Sequence, residues 1–153
     1  DHEGTGVITL DTLRSRLLGS WIVGDGSGID VALIDTGVAP VEGLLHSGKV
    51  INGPDLSFES QNPDLMYLDT YGHGTHMAAI IAGIDPDVGN PNSASLDQFV
   101  GVAPDARIVN VKVGAYDGSV DVSQVIAAID WVVQHRNTGD QPSYAASSRT
   151  AHG

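Results

Sequence analysis

Short runs of apolar residues, separated by Gly, Pro, Asn and Asp, follow one another along most of the chain. The runs at 29–34 and 107–113 are rich in β-branched residues and apolar on successive positions, which is typical of strands buried on both faces of a parallel sheet. A shorter run at 49–51 predicts another strand. The segment after it contains Pro54 and Asp55 and predicts a long polar loop.

Apolar residues at helical spacing predict two short helices in the first half of the chain. Residues 1–9 have the pattern of a loose arm, and the leucines at 10–18 predict a short amphipathic helix after it. Residues 72–83 are small and apolar, which predicts a largely buried helix that ends at Gly83. We expect its buried stripe to consist of Met77, Ile80 and Ile81.

A third helix is predicted from 121 to about 135. Asp121, with Gln124 three residues later, is typical of a capping box. Six apolar residues follow at helical spacing, and we expect them to share one face: Val122, Val125, Ile126, Ile129, Val132 and Val133. Strand, helix, strand and helix in this order predict an α/β fold with a mostly parallel sheet flanked by helices.

The end of the chain does not continue this pattern. Residues 137–153 contain no Val, Ile, Leu, Met or Phe, whereas an α/β unit normally follows its helix with another buried strand. We therefore expect an incomplete sheet in which the strand at 109–113 forms an open apolar edge. Such an edge predicts an unstable or aggregation-prone chain.

Charge and composition narrow the classes of partner. The 19 acidic and 7 basic residues give a net charge of −12, which repels nucleic-acid phosphates and anionic lipids. No apolar run approaches the ~20 residues of a membrane-spanning helix. We therefore expect neither a nucleic acid nor a membrane as partner. Cysteine is absent, which excludes disulfides and thiolate metal sites.

Asp35 is the first candidate for chemistry, because it ends a predicted buried strand. The carboxyl ends of parallel strands form the crevice where α/β proteins place their ligand-binding and catalytic groups. A helix cap or turn is the alternative role for this residue. The Asp-Thr-Gly triplet at 35–37 also opens the active site of aspartic proteases, but those proteins are almost wholly β, and the predicted helices have no place in them.

His73 and His76 are the next candidates, at the start of the second predicted helix. Their spacing of three could hold a metal ion, but no third ligand follows in a suitable context. A carboxylate such as Asp35 can instead fix the tautomer of one imidazole and stabilise its protonated form, which makes a general base. A phosphoaccepting Asp35 is a further alternative, but the neighbouring acidic pair that would bind magnesium and the lysine that such chemistry needs near the ion are missing.

Four segments together resemble a known family. They are VALIDTGV (31–38), GHGTHMAAIIAG (72–83), GVAPDARIVNVKV (101–113) and IAAIDWVV (126–133). In this order they resemble the amino-terminal half of the catalytic domain of the subtilisin-like serine proteases, peptidase family S8. The resemblance implies a subtilisin-like three-layer fold and endopeptidase activity, with Asp35 as triad aspartate, His73 as general base and His76 as a structural residue.

The same resemblance implies a substrate and a location. The family binds an extended peptide along an edge segment, which Gly118, Ser119 and Val120 match; a plain Asp-Gly turn is the alternative there. The resemblance implies an extracellular or cell-surface location, and family members often bind structural calcium. The loop at 84–98 does not match a calcium pattern, so no metal ligand and no cofactor are assigned.

Two expected segments are missing from these residues. The family carries its nucleophile in a G-T-S-[MA] segment and its oxyanion-hole asparagine on an earlier stretch, and neither is present. We therefore expect an arm and helix at 1–19, a partial catalytic domain at 20–136 and a non-matching tail at 137–153. We expect the chain to be truncated and inactive alone. The alternative is a non-catalytic domain that binds a peptide or partner.

Overall fold

Three parallel strands form the sheet at the centre of the molecule. The computed structural model describes residues 25–89, 94–95 and 97–136. The strands are β1 (Asp30–Asp35), β2 (Val50–Asp55) and β3 (Arg107–Lys112), in the spatial order β1-β3-β2. The predicted helix at 10–18 and the tail at 137–153 lie outside the described residues. The predicted α/β class with a parallel sheet is confirmed.

β3 is the central strand and the most deeply buried one. It pairs in parallel with both neighbours, and its register places Asp30 beside Arg107 and Asp35 beside Lys112. Five of its six residues are buried. The prediction that the strand at 109–113 lies on an open edge is therefore wrong. Both outer positions of the described sheet belong to β1 and β2, because the chain returns between them after the loop and helix that follow β2.

The outer strands differ from their predicted form. β1 begins and ends one residue later than predicted, and Leu33 is its one buried residue. β2 runs on through Pro54 and Asp55, which the sequence placed in a loop. Proline is tolerated there because β2 is an edge strand, where a missing N–H interrupts no ladder on the open side. The register shifts between Asn52 and Asp55.

One helix covers each face of the sheet. Helix α1 (His73–Ala82) packs on the face that carries Leu33 and Ile108, and helix α2 (Val122–His135) packs on the face that carries Val109 and Val111. Successive strand residues point to opposite faces, so each strand supplies both apolar clusters. The result is a helix, sheet and helix in three layers.

The two helices bury different residues from those predicted. In α1 the buried positions are Gly74, Ala78 and Ala82, while the predicted stripe of Met77, Ile80 and Ile81 is only half-buried. Gly83 ends α1 as predicted, and its amide donates to Ala79 O. In α2 the expected single apolar face divides in two. Four of its six residues point outward and are exposed: Val122, Ile126, Ile129 and Val133.

Candidate active site

Asp35 is the last residue of β1, at the carboxyl edge of the sheet. Its backbone oxygen accepts hydrogen bonds from the amides of Val113 at 2.8 Å and Gly114 at 3.2 Å, which fixes it against the end of β3. Its side chain is 14% exposed, and Oδ1 accepts from the amide of Thr36 at 2.7 Å. The carboxylate is therefore held by its own turn and remains accessible from one side.

His73 is the first residue of α1. Its Nδ1 lies 2.9 Å from both carboxylate oxygens of Asp35. The ring itself is 57% exposed. With Nδ1 directed at the carboxylate, Nε2 is the ring nitrogen available to another molecule. The structure thus brings together the two residues that the sequence analysis paired.

The carboxylate changes the acid–base behaviour of the imidazole. The hydrogen bond that His73 donates to Asp35, followed by the negative charge of that carboxylate, raises the pKa of His73 above the ordinary histidine value, and the charge of Asp69 adds to this. A carboxylate at Nδ1 favours the tautomer that leaves the Nε2 lone pair free and stabilises the imidazolium that forms when Nε2 takes a proton. The pair can therefore act as a general base.

Gly74 makes this contact possible. A Cβ atom at this buried helix position would lie 2.1 Å from Gly37 O and 3.2 Å from Asp35 Oδ1. The amide of Gly74 donates to Thr36 Oγ1 at 2.9 Å. The first turn of α1 thus packs directly against the turn that follows β1, closer than any side chain would permit.

A cleft of about 260 Å³ opens beside the pair. Its walls come from the ends of β1 and β3, the loop before α1, the segment at 118–120 and the first turns of α2: Ile34, Asp35, Thr36, Tyr71, His73, Val113, Gly114, Gly118, Val120 and Val125. Gly118 adopts a left-handed φ of 77°, and a Cβ there would lie 3.0–3.2 Å from the Tyr71 ring. The Tyr71 ring therefore lines the cleft and packs against Gly118.

The predicted substrate segment lies at this cleft. Gly118 and Val120 line it, and Ser119 is exposed in the turn between them. The turn is closed by hydrogen bonds from the amide of Gly118 to Ala115 O at 2.9 Å and from the amide of Ala115 to Ser119 O at 3.0 Å. The segment therefore forms an Asp-Gly turn and also lies beside Asp35 and His73.

Other residues lie apart from the pair. His76 is exposed one turn further along α1. A larger cavity of about 430 Å³ lies between β2 and the loops around 38–48 and 66–68, but its lining has no acidic residue. Within the described ranges, no group of three or more His, Asp and Glu residues is arranged to hold a metal ion. No helix in that part of the chain is long and apolar enough to span a membrane.

Asp69 and Tyr71 also contact the site, and neither is among the residues that the sequence predicted for it. Asp69 accepts hydrogen bonds from the turn after β1 and from the start of α1. Its signal in the sequence is an Asp four residues before His73, within reach of a helix N-terminus that has no capping side chain. Tyr71 gave no signal, because its contact with Gly118 depends on the fold.

Comparison with known proteins gives matches over the region that carries this site. The family model described as the subtilase family, Peptidase S8, matches residues 26–139. Two curated relatives come from Bacillus subtilis strain 168. "Serine protease AprX" is 32% identical over 118 residues, which are 76% of this chain and 24% of that protein. "Minor extracellular protease Epr" is 31% identical over 118 residues, which are 76% of this chain and 16% of that protein.

A solved structure has a similar fold. The crystal structure of a cold-adapted subtilisin-like serine proteinase matches with a TM-score of 0.54 and 34% identity, over 73% of this chain and 34% of that one. The chain therefore spans about a quarter or less of the two curated relatives and about a third of the solved structure.

Proposed function

The chain belongs to the subtilase family, and from this premise we propose that Asp35 and His73 are two members of an Asp-His-Ser triad in a serine endopeptidase. The contact of His73 Nδ1 with both oxygens of Asp35 at 2.9 Å carries this proposal. In the reaction, Nε2 of His73 removes the proton of a serine hydroxyl, and the serine oxygen attacks a peptide carbonyl to form an acyl-enzyme. Asp35 stabilises the imidazolium that results.

The substrate in this proposal is a peptide in an extended conformation. It would lie along Gly118, Ser119 and Val120, where Gly118 presents backbone without a side chain beside the cleft. Main-chain pairing then supplies affinity, and side-chain pockets supply selectivity. The name of Epr, an extracellular protease, supports an extracellular or cell-surface location for this chain as well.

These 153 residues contain no G-T-S-[MA] segment. Residues 20–136 supply part of a catalytic domain in this proposal, with the arm at 1–19 and the tail at 137–153 outside it. A triad without its nucleophile loses nearly all its catalytic power. We therefore expect the 153-residue chain alone to hydrolyse no peptide. Hydrolysis by this chain that His73→Ala abolishes would contradict that expectation.

A chimera tests the proposed roles. Residues 26–136 would replace the matching segment of the cold-adapted subtilisin-like proteinase, which supplies the rest of its own domain. We expect this chimera to hydrolyse a peptide substrate and His73→Ala to lower kcat/KM roughly 10⁴-fold or more. His46→Ala, at an exposed histidine away from the cleft, is the matched control and should retain activity. A folded chimera whose activity ignores His73→Ala would refute the proposal.

A further inference from the structure

The loop between β2 and α1 contacts the turn that carries Asp35. Asp69, in this loop, accepts a hydrogen bond at Oδ1 from Thr36 Oγ1 at 2.7 Å. The same Thr36 hydroxyl accepts the amide of Gly74 at 2.9 Å, and the amide of Thr36 donates to Asp35 Oδ1 at 2.7 Å. One short chain of hydrogen bonds therefore runs from Asp69 to the carboxylate that contacts the histidine.

The Asp69 carboxylate also holds the start of α1. Its Oδ1 also accepts the amides of Gly72 at 2.7 Å and Tyr71 at 3.1 Å. Its Oδ2 accepts the amide of Thr75 at 2.7 Å and the Thr75 hydroxyl at 2.6 Å. The residue before α1 is Gly72, which offers no side-chain cap. Asp69 thus accepts the Thr75 amide, one of the first-turn N–H groups that have no intrahelical partner, and also the amides of the two residues before the helix.

We propose that Asp69 is a positioning residue that holds the turn of Asp35 and the first turn of α1 together, so that His73 Nδ1 meets the Asp35 carboxylate. Five hydrogen bonds converge on this one side chain: one from Thr36, two from Thr75 in α1, and two from the amides of the two residues just before α1. It acts through Thr36 and Thr75 and does not touch the substrate. The inference rests on the proposed roles of Asp35 and His73.

A buried ion pair fixes the loop that carries this carboxylate. Lys112 is fully buried, and its Nζ donates to Glu59 Oε2 at 2.6 Å and to the carbonyls of Leu65 at 3.2 Å and Leu68 at 2.5 Å. Glu59 Oε2 also accepts the hydroxyl of Thr70 at 2.8 Å. Residues on both sides of the positioning carboxylate are therefore tied to the central strand.

The backbone two residues before Asp69 is strained, and contacts with neighbouring residues maintain it. Among the described residues, Tyr67 is the one non-glycine residue with a left-handed φ, at 66°. Its carbonyl accepts the amide of Val38 at 3.2 Å and Asn110 Nδ2 at 2.9 Å. A Cβ on Gly37 would lie 2.8 Å from that carbonyl oxygen. Strain of this kind persists where neighbouring contacts over-determine the conformation, as expected for a positioning loop.

NMR of the 153-residue chain tests the proposal without reference to proteolysis, so that it and the proposed function can fail separately. The two signals are the downfield Nδ1 proton resonance of His73 and its pH titration. In Asp69→Ala we expect the resonance to disappear and His73 to titrate at lower pH. Asp64→Ala removes an exposed carboxylate from the same loop and should change neither. A folded Asp69→Ala chain with both signals as in the parent would overturn the proposal.

Thr36→Val separates positioning from the charge of Asp69. This variant keeps the carboxylate but removes the hydroxyl between it and Gly74, so positioning predicts loss of the Nδ1 resonance here too. If Asp69 acted on His73 only through its charge, the Nδ1 resonance would be lost in the Asp69 variants and kept in Thr36→Val. That result would overturn the proposal. If Asp69→Ala does not fold, Asp69→Asn keeps the shape and the Oδ1 contacts but turns an NH₂ group toward Thr75. We expect a weakened resonance in it, and a resonance unchanged from the parent would count against the proposal.

Discussion

The two helices begin in different ways, and the difference shows how this fold places its chemistry. α2 has its own cap: Asp121 Oδ1 accepts from the amide of Ser123 at 2.8 Å, and Gln124 Oε1 accepts from the amide of Asp121 at 2.8 Å. α1 follows Gly72 without a side-chain cap and takes its acceptors from Asp69, in the preceding loop. Local residues thus specify where α2 begins, whereas the start of α1, which carries His73, depends on tertiary contacts.

The helices also pack differently. α1 buries glycine and alanine, so its backbone approaches the turn after β1 closely enough for Gly74 to contact Gly37. α2 buries one residue fully, Ala128, and exposes an apolar stripe on its outer face. The close packing of α1 therefore brings His73 within hydrogen-bond distance of Asp35. The packing of α2, in contrast, leaves apolar surface uncovered among the described residues.

The largest expected effect comes from the buried ion pair on the α1 side. Glu59→Ala leaves the Lys112 ammonium buried without its carboxylate, and we expect the free energy of unfolding to fall by about 3 kcal/mol. Asp30→Asn, in the exposed pair with Arg107, should cost less than about 1 kcal/mol. Urea unfolding measures both. Equal losses would show that the loop is not anchored through Lys112.

The Glu59–Lys112 pair also predicts that the folded protein loses stability in acid. Burial raises the pKa of Glu59, but hydrogen bonds from Lys112 and Thr70 outweigh this and lower it below its ordinary value. A lowered folded-state pKa means that the stabilisation is present above the unfolded-state pKa and is lost as the pH falls through the folded-state value. We expect the difference in stability between the parent and Glu59→Gln to shrink in acid.

Gly74→Ala tests the close approach of α1. Alanine stabilises an ordinary helix by up to about 1 kcal/mol relative to glycine. Here the added Cβ would lie 2.1 Å from Gly37 O. We therefore expect the free energy of unfolding to fall by about 2 kcal/mol, as in overpacked cores. Gly89→Ala, whose Cβ would meet nothing within 4 Å, is the control. Thermal unfolding of both variants measures the effect, and a stabilised Gly74→Ala would contradict the account.

Asp121→Ala should have the smallest effect. It removes the local cap of α2, and we expect Tm to fall by less than it does in Glu59→Ala or Gly74→Ala. The Nδ1 resonance of His73 should be unchanged, because no described contact joins this cap to the start of α1. If the resonance shifted as much as in Asp69→Ala, the division between a locally specified and a tertiary-specified helix would be wrong.

Elements whose signals are local could be predicted from the sequence. The β-branched run ending at Asp35 predicted β1 to within one residue, and Asp121 with Gln124 predicted the start of α2. The pairing of Asp35 with a histidine followed from its place at a strand end and from the family motif. These features need only neighbouring residues or a known motif to be seen.

Elements that depend on distant partners could not be predicted in this way. Pro54 excludes a central strand but not an edge strand, so the length of β2 depended on the strand order. Lys112 alternates with apolar residues and gave no sign of the carbonyls of Leu65 and Leu68 that it binds. Asp69 lay in a polar loop, and its hydrogen bonds to Thr36 form only in the folded chain.

The central claim is that the fold joins Asp35 and His73 into an ion-paired acid–base unit. The hydrogen bond and charge of Asp35 raise the pKa of His73, so their contribution to stability is complete below the unfolded histidine pKa of about 6.5 and is lost as the pH rises through the folded-state value. The direct measurement is an NMR pH titration of His73 in the parent and in Asp35→Asn. We expect the parent to titrate above an ordinary histidine and Asp35→Asn to titrate lower. Identical titrations in the two chains would contradict the claim.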